Sequence, residues 1–267
     1  MVKKILAKTY VYFILFLMYL PIFLLIVFSF TDSDSVGVWN GFTFKLYGDL
    51  FKNKELMTAV GNTILIAFVS AIVSTIIGTL GAIGSYYSKK RTRKVIEGIT
   101  QLPVVNAEIV MALSLAVLFV ALGFSFSFFT LVIGHVVLTV AFVFLSVKPK
   151  LQQMDPNIYE AALDLGATPR VALYKVMLPE ILPGIVSGFM LSLTLSLDDF
   201  VITQYLKNPS FETISTYIQK ILAKHPVPPE VRALTTFIFL IAVIIVIINN
   251  VSAYRHSKKI NSMKEGK

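Results

Sequence analysis

The chain contains no cysteine, which removes disulfide frameworks, thiolate metal sites, redox pairs and cysteine nucleophiles. Charge is scarce too: 24 Lys and Arg with 15 Asp and Glu make up 15% of 267 residues, against about 25% in soluble domains. No G-x-x-x-x-G-K-[ST] string occurs, so the chain cannot build the phosphate cradle of an ATPase. Neither H-E-x-x-H nor G-x-S-x-G is present, and His135, His225 and His256 are too scattered for a metal site or a triad. A catalytic centre, a metal site and a cofactor bound by this chain are therefore not expected. What abounds is hydrocarbon: 56% of residues are hydrophobic and the mean hydropathy is +0.77. One soluble domain of this length cannot hide that excess, because it still needs a polar exterior. The net charge of +9 does not point to nucleic acid, because the lysines lie between apolar runs rather than on one basic face.

A membrane-spanning helix needs about 20 apolar residues, at 1.5 Å each, to cross roughly 30 Å of hydrocarbon. Uncharged stretches of 23 residues between Lys8 and Asp32, 33 between Glu55 and Lys89, and 22 between Arg232 and Arg255 each suffice for one. From Gly98 to Val147 the only formal charge is Glu108, and the length suits two helices joined near Leu122 to Ser127. Ile181 to Leu197 is a short fifth apolar run that ends at Asp198 and Asp199. The expectation is an all-α, polytopic membrane protein in one permease-like domain, with spans near 10–30, 60–87, 99–121, 128–147, 181–200 and 233–254. Such helices satisfy their own backbone hydrogen bonds in the bilayer. The first span follows Lys3, Lys4 and Lys8 as in a signal peptide, but it is longer than an h-region and lacks a small-residue cleavage site, so it reads as a retained helix. Assigning each Lys and Arg to a side puts 17 of 24 on the face that holds both termini. The positive-inside rule makes that face cytoplasmic.

With this orientation, 148–180 is the one long cytoplasmic loop, and 155–179 reads as a helix-turn-helix. Asp155 and Pro156 can cap and start a first helix, which Gly166 can end in the left-handed conformation. Thr168 and Pro169 can start a second, carrying Leu173, Val176 and Met177 on one apolar stripe. A plain solvated tether needs none of these caps. The segment therefore suits an element on which a cytoplasmic partner pushes.

The string Glu160-Ala161-Ala162-Leu163-Asp164-Leu165-Gly166-Ala167-Thr168-Pro169, followed by Leu178-Pro179 and Pro183, resembles the EAA loop of inner-membrane permeases of binding-protein-dependent ABC importers. Two further segments are similar to the second permease of spermidine/putrescine importers. They are Leu195-Ser196-Leu197-Asp198-Asp199-Phe200-Val201-Ile202-Thr203 and Pro103-Val104-Val105-Asn106-Ala107-Glu108-Ile109-Val110-Met111-Ala112. The resemblance covers nearly the whole chain. It implies the MetI-like fold of these permeases in a bacterial cell membrane, with Glu160, Ala161, Ala162, Asp164, Gly166 and Ala167 meeting a cytoplasmic ATPase dimer. It also implies a second permease forming a heterodimer with this one, ATP and Mg bound by the ATPase, and an extracytoplasmic binding protein meeting 32–59 and 201–232. The cargo it implies is a polyamine.

Glu108 falls near the middle of a helix drawn over 99–121, where an unpaired acid costs about 2.5–3.5 kcal/mol. It reads either as a pathway carboxylate for a cationic substrate or as a buried structural acid near Pro103. Asp198 and Asp199 read either as pathway carboxylates or as a solvated helix end. Neighbouring helical residues point about 100° apart, so one at most faces a pathway directly. Polyamines suit sparse carboxylates with aromatic faces, and Phe200 and Tyr205 follow the pair. His135 reads first as a structural imidazole rather than a proton relay, and Gly78, Gly81 and Gly84 as a smooth packing face. The alternatives are a permease of the same kind for another solute (iron, thiamine or phosphonate) and an energy-independent channel or secondary transporter. Against the latter stands the loop, without an evident internal repeat.

Overall fold

The computed structural model describes residues 2–33, 37–223, 228–241, 243 and 244. These residues are helical apart from short connections. The sixth span expected over 233–254 lies partly outside them, as do His225, His256 and the basic tail from Arg255. Four helices among the described residues are long and apolar enough to cross a membrane, and one bent helix pair passes the same test taken together.

Two compact units make up the chain. The first, 1–57 and 221–267, contains α1 (Val2–Phe28), α2 (Lys45–Lys52) and a helix over 230–241, α12. Phe30, Phe42, Phe44 and Tyr47 stack with centroids 5.1–6.1 Å apart between α1 and α2. Arg232 reaches from α12 to the carbonyls of Phe28 and Ser33, capping the end of α1. Asn53 donates to Glu230 at 2.9 Å.

The second unit, 58–220, holds most of α3 (Lys54–Tyr87), α4 (Lys90–Val105), α5 (Glu108–Ala121) and α6 (Phe128–Gln153). After these come α7 (Pro156–Asp164), α8 (Pro169–Ala172), one π-helical turn at Leu173–Met177, α9 (Leu178–Asp198), α10 (Val201–Leu206) and the start of α11 (Ile214–Leu222). Ser127 begins α6 with a capping box shared with Thr130.

Helices α6 and α9 pair most extensively, because α9 presents its smallest side chains to its partner. Gly184, Gly188, Ser192 and Ser196 recur every four residues and are buried. A Cβ on Gly188 would come within 3.1 Å of the Val143 backbone, and one on Gly184 within 3.0 Å of the Ser146 carbonyl. Without a hydrophobic drive between helices in lipid, such close approach is what lets dispersion hold them together. Of the three glycines expected to form a packing face on α3, Gly78 sits tight against Val143, Gly81 makes only ordinary contact with Phe144, and Gly84 faces open space. Those residues are spaced by three, so by the third the stripe has rotated off the contact.

The third span is not the single helix expected over 99–121. Helices α4 and α5 meet at a bend of 108°, with Asn106 and Ala107 extended between them. Pro103 lacks the N–H that would bond to Ile99, so the last turn of α4 is already weakened, and at Asn106 the chain leaves the helix. Glu108 therefore stands in the first turn of α5, exposed, and not mid-helix. There the helix dipole favours its charge.

Candidate functional site: an exposed coupling segment and a buried polar hub

The 155–177 segment folds as a compact helix-turn-helix. Asp155 accepts from the Asn157 N–H at 3.0 Å and Pro156 opens α7. Gly166 ends it at φ +85°, a conformation costly for residues with a Cβ. Ala167 N–H reaches back to the Ala162 carbonyl and Gly166 N–H to that of Leu163, the paired bonds of a Schellman close. Thr168 caps α8, accepting from Val171. A π-helical turn, Leu173–Met177, follows that the residue pattern does not announce. It lets Leu173 and Met177 turn inward onto α6 while Tyr174 and Lys175 remain exposed.

The base of the segment is fixed and its outer face is open. Ala172, Met177 and Ile181 are buried, the last two among Val147, Leu151 and Met154. Tyr159 of α7 lies 5.8 Å from Tyr87 at the end of α3. Glu160, Ala161, Asp164 and Gly166 are exposed, Ala162 and Ala167 partly so, and Leu165 is 89% exposed.

At the far end of α9 the chain breaks between Asp198 and Val201. The structure separates the two aspartates. Asp198 is exposed, whereas the Asp199 side chain is fully buried. The oxygens of Asp199, one of the two carboxylates expected at a pathway, are engaged in holding α10. Oδ1 accepts from Ile202 N–H at 3.1 Å, and Oδ2 accepts from the Thr203 N–H and hydroxyl at 2.8 and 2.7 Å.

Beneath lies His135, fully buried. Its Nε2 is 3.0 Å from Thr203 Oγ1 and 3.5 Å from Asp199 Oδ2, and its Nδ1 is 2.6 Å from Ser196 Oγ. Thr203 has one proton and gives it to Asp199, so its oxygen accepts from His135 Nε2–H. In the neutral ring Nδ1 then accepts from Ser196. Thr139 continues the chain, donating to the His135 carbonyl and meeting Ser74 of α3 at 2.7 Å. His135 is thus structural in this arrangement. Four helices share one satisfied polar network, as the bilayer interior requires. Glu108 lies within electrostatic reach of both aspartates, so the three acids named from sequence do gather in one region. Phe200 is half-buried and Tyr205, on α10, exposed. Sequence reasoning passed over Ser196 and Thr203, although Ser196 belongs to the four-residue repeat of small side chains on α9.

A bundle of apolar helices with a capped, exposed helix-turn-helix between two of them is the architecture of a multi-pass membrane permease. Residues 74–261 match the family described as "binding-protein-dependent transport system inner membrane component", and the chain belongs to that family. It is 36% identical over 241 residues to the spermidine/putrescine transport system permease protein PotC of Escherichia coli (strain K12), covering 90% of this chain and 91% of that one. Its identity to the putrescine transport system permease protein PotI of the same organism is 34% over 228 residues, 83% and 81% of the two chains. Among solved structures, a bacterial ABC transporter involved in the import of the acidic polysaccharide alginate superposes with a TM-score of 0.73 at 18% identity. That match covers 95% of this chain and 96% of that one, a likeness of fold.

Proposed function

We propose that the chain is one of two permease subunits of an ATP-driven polyamine importer of the spermidine/putrescine class, with both termini in the cytoplasm. The observation that carries this reading is the coupling segment, open on its outer face and anchored at its base. In the proposed cycle a cytoplasmic ATPase dimer, which supplies the ATP and Mg site, grips α7 through Glu160, Ala161, Ala162, Asp164, Gly166 and Ala167. The alanines allow close approach, Glu160 offers a carboxylate, and Leu165 fills an apolar hollow. Closure of the ATPases moves α7, and the buried Met177 and Ile181 pass that movement to α6 and α9 as one body. At 1.5 Å per residue, α9 carries it about 30 Å towards Asp198.

There Asp198 and Glu108 offer carboxylates to a polycation, with Phe200 and Tyr205 for cation–π contact. An extracytoplasmic binding protein delivers the substrate, and a second permease completes the path. The cargo reading is supported by 36% identity to PotC over nine-tenths of the chain and by the clustered acids.

The test is uptake of radiolabelled putrescine and spermidine by cells lacking their own polyamine importer and carrying the whole operon. Glu160→Lys should abolish uptake and release the ATPase from the purified complex while the permease still reaches the membrane; uptake indifferent to it would sink the coupling assignment. Asp198→Asn should raise the apparent KM. If the unaltered complex takes up neither polyamine, the cargo is another solute and the permease reading stands.

A further inference from the structure

Helices α3, α4 and α6 leave a groove between them whose two ends differ in chemistry. One end is a small cavity of about 40 Å³ with Ser85, Arg93, Glu97, Lys148 and Gln152 in its wall. Along the same three helices lies a slot of about 300 Å³ whose wall includes Gly81, Ile96, Ile99, Val140 and Phe144, at the lower end of the roughly 300–1,000 Å³ of small-molecule sites. On α4 the wall residues Arg93, Ile96 and Thr100 follow one another at three- and four-residue steps, with Glu97 next to Ile96. So do Val137, Val140, Phe144 and Lys148 on α6. Each helix thus lays a single stripe along both cavities, and they are successive sections of one groove.

The slot has no polar group to offer. Its one hydroxyl, on Thr100, donates back to the Ile96 carbonyl at 2.8 Å. The other end is strongly basic. Lys89, Lys90, Arg91 and Lys94, at and just after the start of α4, are exposed, and Arg93 of the same stretch stands in its wall with its guanidinium on the carbonyls of Ser85 and Tyr86. Lys148 pairs with Glu97 at 2.9 Å, and Glu97 is the one acid between Ser88 and Ala107. A polyamine would meet repulsion at the mouth and hydrocarbon beyond it. The complement of this groove is an anion joined to a hydrocarbon chain, and the bilayer around the protein supplies that molecule.

We infer that the groove binds one anionic phospholipid, its phosphate held by the Lys89–Lys94 cluster and one acyl chain lying over Gly81 between Ile99 and Phe144. The lipid would wedge α4 at its angle to α5. Gly81 suits this place because it has room: a Cβ there would stand 3.7 Å from Phe144, so a larger side chain would project into the slot.

The experiment uses the full purified complex, equilibrated in mild detergent with equal amounts of phosphatidylglycerol and phosphatidylcholine and read by native mass spectrometry. Because no transport is involved, the result is independent of the cargo assignment. The unaltered complex should retain phosphatidylglycerol in preference. Gly81→Leu should lose the retained lipid. A Lys90→Gln/Lys94→Gln pair, at exposed positions that leave packing untouched, should lower the preference more than tenfold, each basic side chain near an anionic surface being worth roughly fivefold. Equal retention of the two lipids by the unaltered complex, or preference unchanged in both variants, overturns the inference. So does crosslinking of Ile99→Cys, in this cysteine-free chain, to the second permease, which would make the groove a subunit contact.

Discussion

Asp155 and Asp199 do the same local task in opposite surroundings. Each accepts backbone N–H groups at the start of a short helix, Asp155 for α7 in the exposed segment and Asp199 for α10 in the buried hub. In water the unused oxygen of Asp155 and the open face of α7 are solvated, so the cap leaves the surface free for a partner. In the hub nothing is solvated, so Asp199 must be completed by the Thr203 hydroxyl and backed by His135, itself bonded to Ser196. An exposed cap is a local device, whereas a buried one has to be a network.

The largest expected effect separates the two. Asp199→Ala strips the acceptors from two backbone N–H groups and one hydroxyl inside the protein, at a cost on the order of 3–5 kcal/mol. Heating the detergent-solubilised complex and measuring the fraction that stays monodisperse should show a large drop in midpoint. Asp199→Asn, which keeps one acceptor, should recover part of it, and Asp198→Ala should leave it unmoved. If Asp198→Ala and Asp199→Ala destabilise equally, the division of labour between them is wrong.

Glycine extends the same contrast. Gly166 serves the loop through its φ of +85° with nothing near its missing Cβ, while Gly188 has ordinary backbone and serves by what it lacks, with Val143 3.1 Å from where a Cβ would be. Gly188→Val should cost about 1–3 kcal/mol through overpacking of α6 on α9, read by the same thermal assay. Gly166→Ala should cost only about 1 kcal/mol of backbone strain. Equal effects would mean that the α6–α9 contact yields more readily than its geometry indicates.

What the sequence made legible follows the same line. Asp155-Pro156, Gly166 and Thr168-Pro169 act on residues two to four positions away, so the helix-turn-helix could be read from the string alone. The Asp199 cap is equally local, reaching Ile202 and Thr203, but its burial could not be read, because the imidazole that backs it comes from elsewhere: His135 is 61 residues from Ser196 and 68 from Thr203. Read locally, a carboxylate at the end of an apolar run looks like a pathway group, and nothing in the string separates the exposed Asp198 from the buried Asp199. The 108° break before Glu108 was missed because hydropathy continues unbroken across Asn106. Only Pro103, a turn earlier, signalled it.

The smallest effect is the sharpest check on the docking role. Asp155→Ala removes an exposed cap and should cost about 0.5–2 kcal/mol of local helix stability, a loss confined to fraying of one exposed turn and so kept out of the melting of the whole complex. Its consequence should appear where α7 meets the ATPase, because a frayed first turn must be ordered again on docking and that ordering is drawn from the binding free energy. ATPase retention by the Asp155→Ala complex should therefore fall by up to about tenfold, with Asp155→Asn close to unaltered, since Asn caps as well as Asp. Unchanged retention with uptake intact would mean that α7 is ordered by its partner rather than presented ready-made.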